Sequence, residues 1–132
     1  MSQTNVEIVR RVYEEINARL DVPSELFDRE YEMDMRDILW DVGIRRGIEA
    51  AREGFLQYAQ TFEDFRIELR EVIHADGQHV VTEIRDGGRL KGSDAEVWNR
   101  YFNAWTFRDG KVVRVSSHTD RARALEAARI SD

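Results

Sequence analysis

Apolar residues change their period once along this chain. In the first third they recur three and four positions apart, with Val9, Val12, Tyr13, Ile16 and Leu20 on one side of a predicted helix. Thr4 to Glu7, TNVE, has the spacing of a capping box, in which hydroxyl and carboxylate satisfy the helix's first free amides. Pro23 and Ser24 restart the chain into a short turn that carries Leu26 and Phe27. A strand-like stretch, REYEMDMRD (29–37), sets Tyr31, Met33 and Met35 against Glu30, Glu32, Asp34 and Asp37. Trp40 and GIRRG (43–47) read as a loop, and a helix from Ile48 to Phe62 follows, burying Ile48, Ala51, Phe55, Tyr58, Ala59 and Phe62.

From Phe65 the period is two. Phe65, Ile67 and Leu69 alternate with Arg66, Glu68 and Arg70, as a half-buried strand requires. ADGQ (75–78) is a hairpin signal leading into HVVTEIR, and EVWNRYFNAWTF makes a third long strand. RDGK (108–111) turns into VVRVSSH, and DRARALEAA closes with a helix for which Asp120 is the N-cap. Helices first, then long strands in an antiparallel meander, then a last helix predict one α+β domain over residues 1–132. A curved antiparallel sheet wrapped around the N-terminal helices forms a cone whose open end suits a small molecule.

Composition narrows the class. The 132 residues are 42% hydrophobic and 10% aromatic, enough for a packed core without staples. The lack of cysteine excludes disulfides and thiolate metal sites and favours a cytoplasmic location. With 26 acidic against 20 basic residues, net charge −6, no basic run offers itself to nucleic acid. No apolar stretch approaches a membrane span, and MSQTNVEIVRR lacks the apolar core of a signal peptide.

The order of elements, with GRLKGSDAEVWNRYFNAWTFRDGKVVRVSSHTDRARALEAA, FEDFRIELREVI, EYEMDMRD and RRGIEAAREGF, resembles the nuclear-transport-factor-2-like superfamily and within it the SnoaL-like, ketosteroid isomerase-like branch. The resemblance covers nearly the whole chain and implies the cone-shaped, cystatin-like α+β fold. It implies activity only loosely, since isomerases, cyclases, epoxide hydrolases, dehydratases and non-catalytic binding domains share this fold. In ketosteroid isomerase-like proteins a proton-shuttling aspartate sits on the strand after the second helix, and Asp34 occupies about that place. Strand alternation offers the opposite reading, with Asp34 beside Glu32 and Arg36 on a wet face. Limonene epoxide hydrolase-like members use an arginine and an aspartate two apart, plus a second aspartate on the last strand. Here Glu83 and Arg85 stand in reversed order and Ser116–Ser117 replaces the second acid, which disfavours epoxide hydrolysis.

Other candidates come from parity. Asn99, Tyr101, Asn103, Trp105 and Phe107 share one strand face, so Tyr101 and Asn103 are candidate donors to a carbonyl or enolate oxygen, with Asn99 and Trp105 lining the cavity. Tyr13, Trp40, Tyr58, Ser117 and His118 complete the ligand-contact candidates, each with a packing or rim role as its alternative. Ser116, Ser117 and His118 lack an identifiable third group for a nucleophilic triad. His74, Asp76 and His79 flank a hairpin tip and read as turn chemistry, so no metal and no cofactor is assigned. Trp98, Phe102 and Ala104 on the outer sheet face predict a homodimer.

Two functions remain open. One is a cofactor-free isomerase, cyclase or dehydratase moving a proton on an apolar carbonyl compound, with Asp34 as base. The other is a non-catalytic ligand-binding or dimeric assembly domain.

Overall fold

A computed structural model describes residues 2–129. Helix α1 (Ser2–Arg19) and a 3-10 turn (Ser24–Leu26) lead into strands β1 (Phe27–Asp34) and β2 (Ile44–Arg46), then helix α2 (Ile48–Ala59). Strands β3 (Arg66–Ala75), β4 (His79–Arg89), β5 (Glu96–Arg108) and β6 (Lys111–His118) precede helix α3 (Arg121–Ala127). The six strands form one sheet in the order β2-β1-β6-β5-β4-β3.

The helical stripe of α1 buries Val9, Val12, Tyr13 and Ile16. Two asparagines fix its docking: Asn17 Nδ2 donates to Ile67 O while its Oδ1 accepts from Ile67 N, both at 2.8 Å, and Asn5 Nδ2 donates to the carbonyls of Asp76 and Gly77 at 3.2 Å. Each buried backbone group so matched avoids the cost of an orphaned donor or acceptor. Because α1 starts at Ser2, Thr4 and Glu7 lie inside its first turns and do not form the expected cap. Helix α2 ends at Ala59, and Phe62, expected within it, instead forms an isolated bridge with Leu90.

One pairing departs from the expected all-antiparallel sheet. β1 runs parallel to β6, with Met33 opposite Val115 and Asp34 opposite Ser116, so the sheet is mixed. Strand alternation fixes which side chains face inward; it carries no information about which distant strand becomes the neighbour. β2, read as loop, pairs antiparallel with β1 at three residues, too few to show a period.

Both faces of the sheet are covered in part. α1 and α2 pack on the inner face, around Trp105, Phe107, Ile84 and Val115. Across the sheet, Ala124, Leu125 and Ala128 at α3 bury Val81, Phe102 and Ala104. Asp120 caps that helix, accepting from Arg123 N at 2.8 Å. Phe102 and Ala104, expected against a partner subunit, are 4% and 3% exposed because the chain's own last helix lies over them. Among the described residues no helix is long and apolar enough to cross a membrane.

Candidate active site

The inner positions of β4 are Val80, Thr82, Ile84 and Asp86, all 5% exposed or less. The strand therefore delivers a carboxylate to the inner face one step beyond an isoleucine. Gly87 and Gly88 follow, at φ +152° and +148°. A Cβ on Gly87 would overlap Val97 O and come within 2.9 Å of Trp98 Cα, and one on Gly88 would stand 2.6 Å from Asp64 O. Only glycine lets the backbones of β4, β5 and the segment before β3 approach this closely. Two glycines after an aspartate look like a turn in sequence, yet the strand continues to Arg89.

Asp86 opens onto a cavity of about 100 Å³ between the sheet and the two N-terminal helices. The walls are chiefly apolar, with Ile16, Phe27, Met33, Phe55 and Trp105 among them. Tyr58, from α2, donates its hydroxyl proton to Asp86 Oδ1 at 2.6 Å, and Asn99 Nδ2 donates to the Tyr58 oxygen at 3.3 Å. Burial with one donor and no cation beside it pushes the Asp86 carboxyl up to about 7. The phenols of Tyr58 and Tyr101 are pushed up as well, first by burial and then by the Asp86 charge, so both keep their protons at neutral pH. A carboxyl balanced near neutrality beside two protonated phenols can take a proton and return it.

A second polar group lies elsewhere on the same inner face. Tyr13 Oη accepts from Asn103 Nδ2 at 3.1 Å and from Trp105 Nε1 at 3.3 Å, and lies 2.9 Å from Thr82 Oγ1. With two donors already on it, the Tyr13 oxygen gives its own proton to Thr82. Ser117 Oγ donates to Asn103 Oδ1 at 2.8 Å. This end of the cavity is closed on itself: Asn103 spends one amide proton on Tyr13 and its carbonyl on Ser117.

Residues 9–115 match the family model of the SnoaL-like domain. The chain belongs to that family. Its fold is shared with solved structures of low sequence identity, among them a protein from Jannaschia sp. CCS1 described as a SnoaL-like polyketide cyclase (22% identity, TM-score 0.76, covering 99% of this chain and 94% of that one). TerC co-crystallised with polyporic acid is another (19%, 0.74, 93% and 96%). A third is a ketosteroid isomerase-like fold from Catenulispora acidiphila DSM 44928 in complex with trimethylamine (16%, 0.72, 95% and 94%). A comparison with curated proteins finds no match.

Within this SnoaL-like domain the expected site residues divide. Tyr13, Tyr58, Tyr101, Asn103, Trp105 and Ser117 line the cavity, and Asn99 supports it through Tyr58. Asp34, expected as the base, is not part of the lining. It faces the other side of the sheet, where Arg36 Nε and Nη2 reach it at 3.0 and 2.9 Å and Arg114 Nη2 at 2.6 Å. Burial pulls its carboxyl upward, but the hydrogen bonds from Arg36 and the charges of both arginines outweigh it and hold the group below the usual carboxylate range. Asp34 and Asp86 are both nearly closed to solvent, 7% and 5% exposed. What separates them is that Asp86 lies deeper in the apolar interior with no guanidinium against it among the described residues, whereas two guanidinium groups meet Asp34. An ion-paired carboxylate of this kind is a poor proton acceptor.

Trp40 is 83% exposed and forms no wall of the cavity, because the loop after β1 turns it to solvent. His118 lies on the outer face, with Nδ1 2.6 Å from Asp37 Oδ2 and Nε2 2.8 Å from Ser116 Oγ. Serine, histidine and carboxylate are thus aligned, and the third group missing from the sequence pattern is Asp37. The serine is 1% exposed beneath the outer packing, so no substrate reaches it and the row ties the loop after β1 to β6. At the β3–β4 hairpin Asp76 accepts from the amides of Gln78 and His79 at 2.7 Å and meets His74 Nε2 at 2.7 Å. Despite the pull of burial, these bonds hold its carboxyl down at about 2.

Asp86 and Arg52 are the charged residues that line the cavity among those described, and neither is among the site residues expected from the sequence. The signal for Asp86 was parity: it stands in phase with Val80, Thr82 and Ile84 and out of phase with Glu83 and Arg85.

Proposed function

We propose that the protein is a cofactor-free acid–base catalyst that moves a proton on a small apolar carbonyl compound. One observation carries this reading: a carboxyl poised at about 7, buried in an apolar cavity and bonded to a phenol. Asp86 takes the proton from the carbon beside a carbonyl, and the C–H electron pair passes into an enolate. The Tyr101 phenol donates to the enolate oxygen, while Tyr58, held by Asn99, fixes the carboxyl. Returning the proton to another carbon completes an isomerisation; loss of a leaving group from the enolate gives a lyase. Asp86 here takes the role first expected of Asp34. The neighbour described as a polyketide cyclase, and the one co-crystallised with polyporic acid, favour oxygenated ring compounds as the ligand class.

The test is deuterium exchange at carbon beside the carbonyl of ring ketones, followed by NMR. Wild type should exchange these protons at a rate rising with pH to a plateau above about 7, as the carboxyl loses its proton. Asp86→Asn should lower the rate by about 10²–10⁴ and Tyr58→Phe by less, with Asp34→Asn unchanged. Exchange by wild type no faster than in buffer would leave a binding domain without catalysis, and catalysed exchange that Asp86→Asn does not slow would remove Asp86 as the base.

A homodimer belongs to the same proposal, through the outer face that α3 leaves open. Arg85 stacks 4.1 Å over the Trp98 ring there, and Arg100 pairs with Glu83 at 2.8 Å. Light scattering should give twice the 15.5 kDa chain mass at micromolar concentration, and a monomer would remove the dimer.

A further inference from the structure

Among the described residues two charged side chains reach the cavity, Asp86 and Arg52. Arg52 stands on α2 with its side chain a quarter exposed, where the cavity meets solvent. Its Nε donates to Asp21 Oδ1 at 2.7 Å and its Nη1 to Glu49 Oε1 at 2.8 Å; among the described residues Nη2 has no hydrogen bond. Asp21 Oδ1 is fixed in turn by the Val22 amide at 2.8 Å, and Val22 itself lines the cavity. The guanidinium is therefore held in one orientation at the rim with part of its donor fork unspent. An arginine so held is pre-organised for a planar anion.

We propose that Arg52 binds an anionic group of the ligand, and that the ligand is a single-ring carbonyl compound, apolar in its ring but carrying one carboxylate at the rim end. The carbonyl half rests on the reading of Asp86 given above; the carboxylate half does not. Size argues for one ring. A cavity of about 100 Å³ is on the scale of the apolar cavity of roughly 150 Å³ that takes up benzene, and below the roughly 300–1,000 Å³ of drug-sized sites. Spacing argues for the two polar ends. Arg52 and Tyr58 are six residues apart on α2, about 9 Å along the axis and on opposite shoulders of the stripe formed by Ile48, Ala51 and Phe55. Tyr58 marks the Asp86 end of the cavity and Arg52 the rim, so a ring with its carbonyl and its carboxylate at opposite positions matches the two ends, with apolar walls between that would disfavour further polar groups.

The neighbouring carboxylates sharpen the experiment. Asp21 and Glu49 offset the Arg52 charge, so removing one of them should strengthen an anion's attraction, whereas it should only loosen an arginine whose role is to clamp α2. Binding of 4-acetylbenzoate and of its uncharged match, 4-acetylbenzamide, is measured by calorimetry at pH 6. Wild type should hold the acid on the order of tenfold more tightly than the amide, as for a charge-assisted hydrogen bond. Arg52→Gln should bring the ratio close to one, Arg52→Lys should keep part of it, and Asp21→Asn should raise it a few-fold. An amide bound as tightly as the acid, a ratio that Arg52→Gln does not change, or no binding of either compound overturns the proposal. If Arg52→Gln fails to fold, Asp21→Asn decides: acid binding that is weaker or unchanged overturns it too. Asp86→Asn should leave the ratio intact, so proton exchange that Asp86→Asn does not slow, with the ratio preserved, would retire the catalytic reading and leave Arg52 standing.

Discussion

At pH 8 the Asp86→Asn variant should unfold later than wild type, by about 1–3 kcal/mol. The cause is the cost of a lone buried charge. Below about pH 4 the Asp86 carboxyl holds its proton in both the folded and the unfolded chain. Between about 4 and about 7 only the folded chain holds it, so stability falls as the pH rises through this window; above about 7 the loss is complete. The whole interval amounts to roughly 4 kcal/mol, which asparagine, being neutral, does not incur. Against that gain stands the new amide group, whose protons face apolar walls at a cost of about 1–3 kcal/mol. Tyr58 keeps an acceptor in Asn Oδ1. Urea unfolding at pH 5 and pH 8 reads the prediction: wild type should match or exceed the variant at pH 5 and fall below it at pH 8. Equal pH dependence in the two proteins would mean that Asp86 is not buried as a lone carboxyl.

Gly87→Ala should be the most damaging single methyl in the protein. The added Cβ overlaps the carbonyl oxygen of Val97, a backbone atom that cannot swing aside as a side-chain tip can. Gly87 also stands at φ +152°, where an alanine is strained even in open space. β4 and β5 pair along eleven residues each, so relief requires separating the strands at the end that holds Asp86. A cost above about 4 kcal/mol is expected, a large part of the roughly 5–15 kcal/mol that keeps a domain folded. Gly92→Ala is the control. Its φ is +77° but its Cβ meets nothing within 4 Å, so only the backbone penalty of about 1–2 kcal/mol applies. Thermal melts followed by circular dichroism should show a small drop for Gly92→Ala and an unfolded or insoluble Gly87→Ala. Similar melts for the two variants would show that the close approach of β4 and β5 is not needed.

The two carboxylates mark how far the sequence could be read. Alternation placed Asn99, Tyr101, Asn103 and Trp105 on one face of β5 because a strand with one wet and one dry side leaves them no choice. The same rule set Asp34 in phase with Glu32, and its position opposite Met33 argued for the outer face it occupies. A resemblance in element order favoured the inner face, but the order of elements does not fix the phase of a strand. Asp86 was hidden by its own neighbours, since Asp-Gly-Gly signals a turn wherever no second backbone needs the space. That Val97 lies against those glycines is a property of strand pairing and cannot be read from residues 86–88 alone. The cover over Phe102 and Ala104 was missed for a related reason. An apolar outer face announces that something lies on it, and seven residues of the same chain meet that need as well as a second subunit does.

The pairing of β1 with β6 sets the order in which this chain can be finished. Their partners, Met33 with Val115 and Asp34 with Ser116, are more than eighty residues apart, and α3 follows β6. As the chain leaves the ribosome, the hairpins of β3, β4 and β5 can close on local contacts. β1 cannot take its place in the sheet until β6 has emerged, and Val81, Phe102 and Ala104 stay uncovered until Ala124 and Leu125 follow. A growing chain halted before residue 111 would therefore expose one sheet edge and one apolar face together, the two surfaces that chaperones and neighbouring nascent chains bind most readily.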